Sequence, residues 1–305
     1  MTDTISVYRR IERLGISPLG ETFRARDTRR GRTVTLTLID ESLVATPEAR
    51  ARLIEALHAA SELSHPHIAG IWEVGEEDGL VYAAFEHFTG VSLRDLTRRG
   101  ALEPTRAVSI ATGIAEALAE AWARQMVHRE LRPETVFVTS RDQVKVTGFG
   151  LSAWTAAPGV SPYHSPEQVL GEVVDHRSDI FSLGTILYEL LTGRAPFAAA
   201  TPDETAVRIL QARPPRPGVI ELSVPPELDA IVMKALSKSL DGRYQVAATM
   251  AAELRALAAV LEHRIAHGRM SPHGRGALGR AAVAAALAVL AVISVAAAWR
   301  FWSIL

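Results

Sequence analysis

The chain contains no cysteine, which removes disulfides, thiolate metal sites and thiol nucleophiles together and fits a reducing compartment. Lysine is scarce as well: the first is Lys145, so the N-terminal half takes its positive charge from arginine. The formal net charge is -1, so no overall field argues for nucleic acid or an acidic partner, and no nucleic-acid role is expected. Internal repeats are missing, and the opening MTDTISVYRRIE lacks the apolar segment of a signal peptide. What is present is a chain of 305 residues, 48% of them hydrophobic, enough for one large or two modest domains with a real core.

From Tyr8 to about Leu80 the pattern is of short strands, TFRARD and TVTLTLI among them, with one helical stretch from Pro47 to Leu63. From Leu93 onward apolar residues fall at helical spacing, in SIATGIAEALAEAWARQ, SDIFSLGTILYELLTG and ELDAIVMKALSKS. The pattern predicts an α+β fold: a tail over 1–7, a small sheet-rich lobe over about 8–85 and a larger helical lobe over about 89–262. A helix from Gln245 to His263 leads into a basic, glycine-containing linker over 263–280. Residues 281–299, AAVAAALAVLAVISVAAAW, carry no charge. As a helix they span about 28 Å, close to the hydrocarbon thickness of a bilayer. Arg264, Arg269, Arg275 and Arg280 precede this span and only Arg300 follows it. The positive-inside bias therefore predicts a single-pass protein of the inner or cytoplasmic membrane, its N-terminal domain in the cytoplasm and 300–305 outside. Ala281 with Ala285, and Ala284 with Ala288, give the small-residue spacing that lets helices approach, so a homo-oligomer is a further expectation.

Between these ends, motifs stand in a definite order. LGISPLGETFRAR begins at Leu14, VTLTLI at Val34, HPHIAGIWEVGEEDGLVYAAFEHFTGVSLRDL at His65, HRELRPET at His128 and GFG at Gly148. SPYHSPEQ, SDIFSLGTILYELLTGRAPF and DGRYQ follow. From Tyr8 to about Leu261 the chain resembles bacterial Ser/Thr protein kinases, and the resemblance implies a bilobal protein-kinase-like fold with ATP between the lobes. Such a kinase does little covalent chemistry of its own; it positions ATP, neutralises phosphate charge with Lys and metal ions, and orients a hydroxyl. On this resemblance Gly15 and Gly20 are the outer glycines of the phosphate loop, and Phe85 and Glu86 at the hinge line the adenine site.

Several positions that carry that chemistry hold other residues. The middle loop glycine is Ser17, followed by Pro18, which deletes an N–H donor. The phosphate-binding Lys position is Thr37, with Arg24 and Arg26 the only nearby cations. Its helix Glu partner position is Ala56, with Glu55 one residue, or about 100 degrees of helix, away. The catalytic base position is Glu130, whose extra methylene shifts the carboxylate by roughly 1.5 Å. A misplacement of about 1 Å can cost about a hundredfold in rate. The two metal-ligand positions are Thr135 and Gly148, so Mg²⁺ is not expected to be held in the usual way; Glu130 with Asp142 is an alternative carboxylate pair. The threonine that bridges base and Lys in the family aligns with Val160.

Against these losses the architectural positions are kept. His128, Arg129, Phe149 and Gly150 retain the family frame, Asp179 matches the helix Asp that fixes the catalytic-loop backbone, and Glu167 with Arg243 matches a buried ion pair. The combination leads to the expectation of a pseudokinase acting through partners such as active kinases or phosphothreonine-reading domains, with Thr155, Ser161 and Ser165 as phosphate acceptors. The alternative is a weakly active Ser/Thr kinase that binds ATP and uses Glu130 as base.

Overall fold

The computed structural model describes residues 4–156 and 158–268. The alternating first part forms β1 (Thr4–Ile5), β2 (Tyr8–Ser17), β3 (Gly20–Asp27), β4 (Arg32–Ile39), α1 (Pro47–Ser61), β5 (Ile71–Glu77) and β6 (Leu80–Glu86). These six strands make one antiparallel sheet in the order β1-β2-β3-β4-β6-β5. β1 lies inside the expected tail over 1–7, because burying Ile5 beside Tyr8 and Val34 draws those residues into the sheet. α1 begins where the Thr46 hydroxyl accepts the Ala49 N–H at 3.2 Å, with Pro47 in the first turn. Leu53 and Leu57, one turn apart, set its buried face against Ile71, Val81 and Ala83.

The larger lobe opens with β7 (Gly90–Ser92), α2 (Leu93–Thr97) and α3 (Pro104–Ala123), then β8 (Val136–Thr139), β9 (Val144–Val146), α4 (Ser152–Thr155) and α5 (Pro166–Leu170). It continues through α6 (His176–Thr192), α7 (Pro202–Gln211), α8 (Pro217–Ile220), α9 (Pro226–Ala235) and α10 (Ala247–Gly268). α6 is buried from Ser178 to Leu191, with α3, α9 and α10 packed on it. Leu183, Ile186, Leu187 and Leu190 on this helix are fully buried, and each contributes about 1.5–3 kcal/mol relative to exposure. α10 lies along α3 and runs on to Gly268, so the first residues of the expected linker are helical. Among the described residues no helix is long and apolar enough to cross a membrane. The expected span over 281–299, the linker residues 269–280 and the tail over 300–305 lie outside the described residues.

Candidate functional site

A cavity of about 540 Å³ lies between the lobes, bordered by the β2–β3 turn, β3, β4, the end of β6 and the segments around β8 and GFG. Among the described residues on its walls, the only ionisable side chain is Glu86, and Lys145 holds that carboxylate at 2.7 and 2.9 Å. Among the described residues no lysine or arginine borders the cavity. Phe85 and Glu86 border the cavity at the end of β6, joined by Phe88 and Phe137, whose rings meet edge to face at 5.5 Å.

On the sheet side, the strand period of two brings Thr35 and Thr37 to the same face of β4. Thr22 of β3 stands opposite Thr37 in register, and their hydroxyl oxygens are 3.4 Å apart. Buried Thr37 thus occupies the Lys position with an uncharged group. Arg24 does not compensate: its Nη2 pairs with Glu12 Oε2 at 2.8 Å, and neither Arg24 nor Arg26 borders the cavity. Ala56 packs into the small-lobe core and Glu55 is exposed, so α1 reaches the cavity through Ala60 alone. Neither Thr37 nor Ala56, the positions the resemblance assigns to the family's Lys–Glu pair, carries a charge to the cavity.

The β2–β3 turn has spent its donors on itself. The Ser17 hydroxyl donates to the Gly20 carbonyl at 3.1 Å and accepts the Leu19 N–H at 3.3 Å, while Pro18 has no N–H to offer. Leu19 folds inward against Ile39, Val44 and Leu53. Gly15 borders the cavity with open space around its α-carbon, as the resemblance implies. Gly20 does not border it: a Cβ there would stand 2.0 Å from the Leu38 carbonyl oxygen. Close packing of β3 on β4, not a phosphate, requires this glycine.

The metal positions do not fit Mg²⁺. The Thr135 hydroxyl donates to the Arg132 carbonyl at 2.9 Å and accepts the Arg132 N–H at 3.2 Å, closing the turn at Pro133–Thr135 on itself. Gly148, with φ of 88°, has no side-chain oxygen for a hard cation. Asp142 is exposed and pairs with Arg106 at 3.2 Å, so the alternative carboxylate pair with Glu130 does not form. Among the described residues no group of three or more His, Asp or Glu side chains converges as a metal site.

Glu130 is largely buried and does not border the cavity. Its Oε1 lies 3.4 Å from His164 Nε2 and its Oε2 3.8 Å from Arg132 Nη1. His164 Nδ1 accepts the Ser161 N–H at 3.3 Å, which leaves Nε2 to carry the ring proton toward Glu130. Val160 packs on the large-lobe core, and His164 makes the contact with the base position that the family assigns to the neighbouring threonine. The sequence pattern did not single out His164; its signal is a titratable residue inside the SPE motif.

The retained residues act as architecture. The His128 and Arg129 N–H groups donate to Asp179 at 2.7 and 2.8 Å. Burial pushes the Asp179 carboxyl up to about 7 against those two bonds, and burial pushes His128 down to about 4. His128 is placed as a neutral ring: Nδ1 accepts the Glu130 N–H, Nε2–H donates to the Thr147 carbonyl at 2.9 Å, and Phe149 meets it edge to face at 4.7 Å. Arg129 contributes through its main chain; its side chain is exposed and its φ is 65°. Gly150 packs close to Met126, whose sulfur would lie 3.3 Å from a Cβ. Immediately after GFG, Leu151 enters the small-lobe core with Trp154 packed beside it, so α4 ties this segment to α1. Ser165 is fully buried and caps α5 through Gln168, which removes it as an accessible acceptor. Thr155 borders the cavity and donates to the Leu151 carbonyl, while Ser161 is half-buried.

Two lobes joined at a hinge over a deep cleft define the class of phosphotransferase folds. The protein kinase domain family matches residues 8–265, and the chain belongs to that family. It is 36% identical over 259 residues to the serine/threonine-protein kinase PknB of Mycolicibacterium smegmatis, covering 80% of this chain and 41% of that protein. It is 31% identical over 258 residues to the serine/threonine-protein kinase PrkC of Bacillus subtilis, covering 81% and 40%. The chain therefore spans about two-fifths of the length of these relatives. Among solved structures, the kinase domain of Mycobacterium tuberculosis PknI superposes with a TM-score of 0.67 at 25% identity, covering 83% of this chain and 96% of that one.

Proposed function

We propose that the protein is a pseudokinase: a kinase-family scaffold that regulates other signalling proteins by binding them, without transferring phosphate. The observation that carries this reading is the cation-free cleft, bordered by Thr37 and Gly148 where charge neutralisation and metal binding belong. A triphosphate buried there would meet no cation among the described wall residues, whereas burial of ionised groups demands direct compensation. The nearest are Arg132, whose Nη2 lies 3.5 Å from the Thr155 carbonyl beside Glu130, and Lys145, already held by Glu86. Glu130, turned to His164 and Arg132, adds a second reason for silence. Partners on this reading are active kinases and phosphothreonine-reading domains, with the half-buried Thr155 and Ser161 as the remaining acceptors. Residues 281–299 would anchor the scaffold to the cytoplasmic face of the membrane, with self-association through their alanines.

The test is a phosphotransfer assay on the full chain in detergent, with Mg²⁺ or Mn²⁺ and radiolabelled ATP. The expected result is turnover indistinguishable from a protein-free blank. Turnover above that blank, abolished by Glu130→Ala, would overturn the reading in favour of a weakly active kinase.

A further inference from the structure

The direction of the hydroxyl protons around the cleft carries a second conclusion. Thr147 donates its proton to the Thr135 carbonyl at 3.1 Å, Thr155 to the Leu151 carbonyl at 3.0 Å, and Ser17 to the Gly20 carbonyl at 3.1 Å. Each of these oxygens therefore offers the cavity lone pairs and no proton. At the turn, the Leu19 N–H is already taken by Ser17, and Pro18 has none. Toward GFG and the turn the cleft thus presents acceptors and apolar groups, while the Thr22 and Thr37 hydroxyls bond each other on the sheet side, and no cation stands among its described wall residues. At Ser17, Thr147 and Thr155 a phosphate, which is an acceptor bearing charge, meets lone pairs, whereas a neutral hydroxyl or amine meets partners.

The remainder of the wall defines the shape of an occupant. A volume of about 540 Å³ lies within the range of about 300–1,000 Å³ typical of small-molecule sites. At the hinge end Phe88 and Phe137 offer ring surface, with Leu14 also on the wall. Toward GFG the wall turns to hydroxyls.

We propose that the cleft binds an uncharged, nucleoside-like compound, flat and apolar at one end and rich in hydrogen-bond donors at the other, and that it rejects the phosphorylated forms of the same compound. This inference rests on the reading of the cleft as having lost phosphate handling, and adds a positive ligand class to that loss.

The experiment is isothermal titration of the full chain in detergent with adenosine and with ATP, each with and without Mg²⁺. Adenosine is expected to bind at least about tenfold more tightly than ATP, a difference of about 1.4 kcal/mol. Thr155→Val, which keeps shape and removes the acceptor, is expected to weaken adenosine while leaving the ATP signal unchanged. Thr37→Lys is expected to invert the order of the two ligands. Equal or tighter binding of ATP by the unaltered chain overturns the proposal, and so does the absence of adenosine binding. Loss of adenosine binding leaves the phosphotransfer result untouched, whereas measured turnover sinks the pseudokinase reading, so the two failures are distinguishable.

Discussion

Arg243 Nη1 lies 2.7 Å from Glu167 Oε1 and its Nη2 3.2 Å from Oε2, a two-pronged ion pair in which the arginine is completely buried. Burial alone would raise the Glu167 carboxyl, but the hydrogen bonds and charge of Arg243 outweigh it and hold the group below the usual carboxylate range. Arg243→Met leaves Glu167 uncompensated and is expected to cost about 3–5 kcal/mol in urea denaturation. The double variant Glu167→Leu, Arg243→Met is expected to recover much of that loss, since no lone charge remains. A double variant as unstable as the single one would show that shape, not charge, sets the cost.

Gly15 and Gly20 share a positive φ, 145° and 139°, but differ in surroundings. Nothing lies within 4 Å of a Cβ at Gly15, whereas at Gly20 the Leu38 carbonyl oxygen is 2.0 Å away. Both alanine variants bear backbone strain of about 1–3 kcal/mol. Gly20→Ala is expected to lower the melting temperature well beyond Gly15→Ala, because only there must β3 and β4 separate. Equal shifts would count against a packing role for Gly20.

His128 and Asp179 titrate in opposite senses. The folded state keeps a proton on Asp179 up to about 7, against an ordinary value of 3.8, so its contribution to stability falls as pH rises through that window. His128 is held neutral down to about 4, against 6.5, so the unfolded state takes up its proton first and this contribution rises with pH from about 4 to 6.5. The two slopes largely cancel in the native chain. His128→Phe removes its rising contribution, while His65 and His87, also lowered by burial, keep theirs. The variant's stability is therefore expected to fall more, or rise less, than the native chain's between pH about 4 and about 6.5, read from urea midpoints. Parallel profiles of variant and native chain would refute the assignment of His128.

Leu151, buried in the same small-lobe cluster as Leu53 and Leu57, links the segment after GFG to α1. Leu151→Ala is expected to cost about 2–5 kcal/mol. Hydrogen exchange should then quicken in α1 as well as in residues 151–156, since they share one cluster. Acceleration confined to 151–156 would mean that α4 is not coupled to α1.

The lobes and the substituted motif positions were legible in the sequence for a local reason. The identities at Thr37, Thr135 and Gly148 follow from short motifs, and the helices declare themselves by apolar spacing. What the letters did not disclose depends on residues far apart in the chain. Lys145 meets Glu86 across 59 positions and His164 meets Glu130 across 34, and neither partner marks the other. Gly20 read as a phosphate glycine because sequence shows its type and not the carbonyl pressed against it. The committed directions of Thr147 and Thr155 are likewise a product of turns, invisible until the main chain is in place.

The first lysine in the chain is Lys145, and Glu86 occupies it from both carboxylate oxygens. Lys234 sits over the Tyr244 ring and Lys238 over Phe197, both in the large lobe. Reagents that report on nucleotide clefts by acylating a lysine beside the ligand will meet, among the described residues, only Lys145, buried and held by Glu86 behind the wall. A proteome-wide survey built on that reaction would leave this protein uncounted even with its cleft filled, and its occupancy has to be followed through a signal that needs no covalent bond.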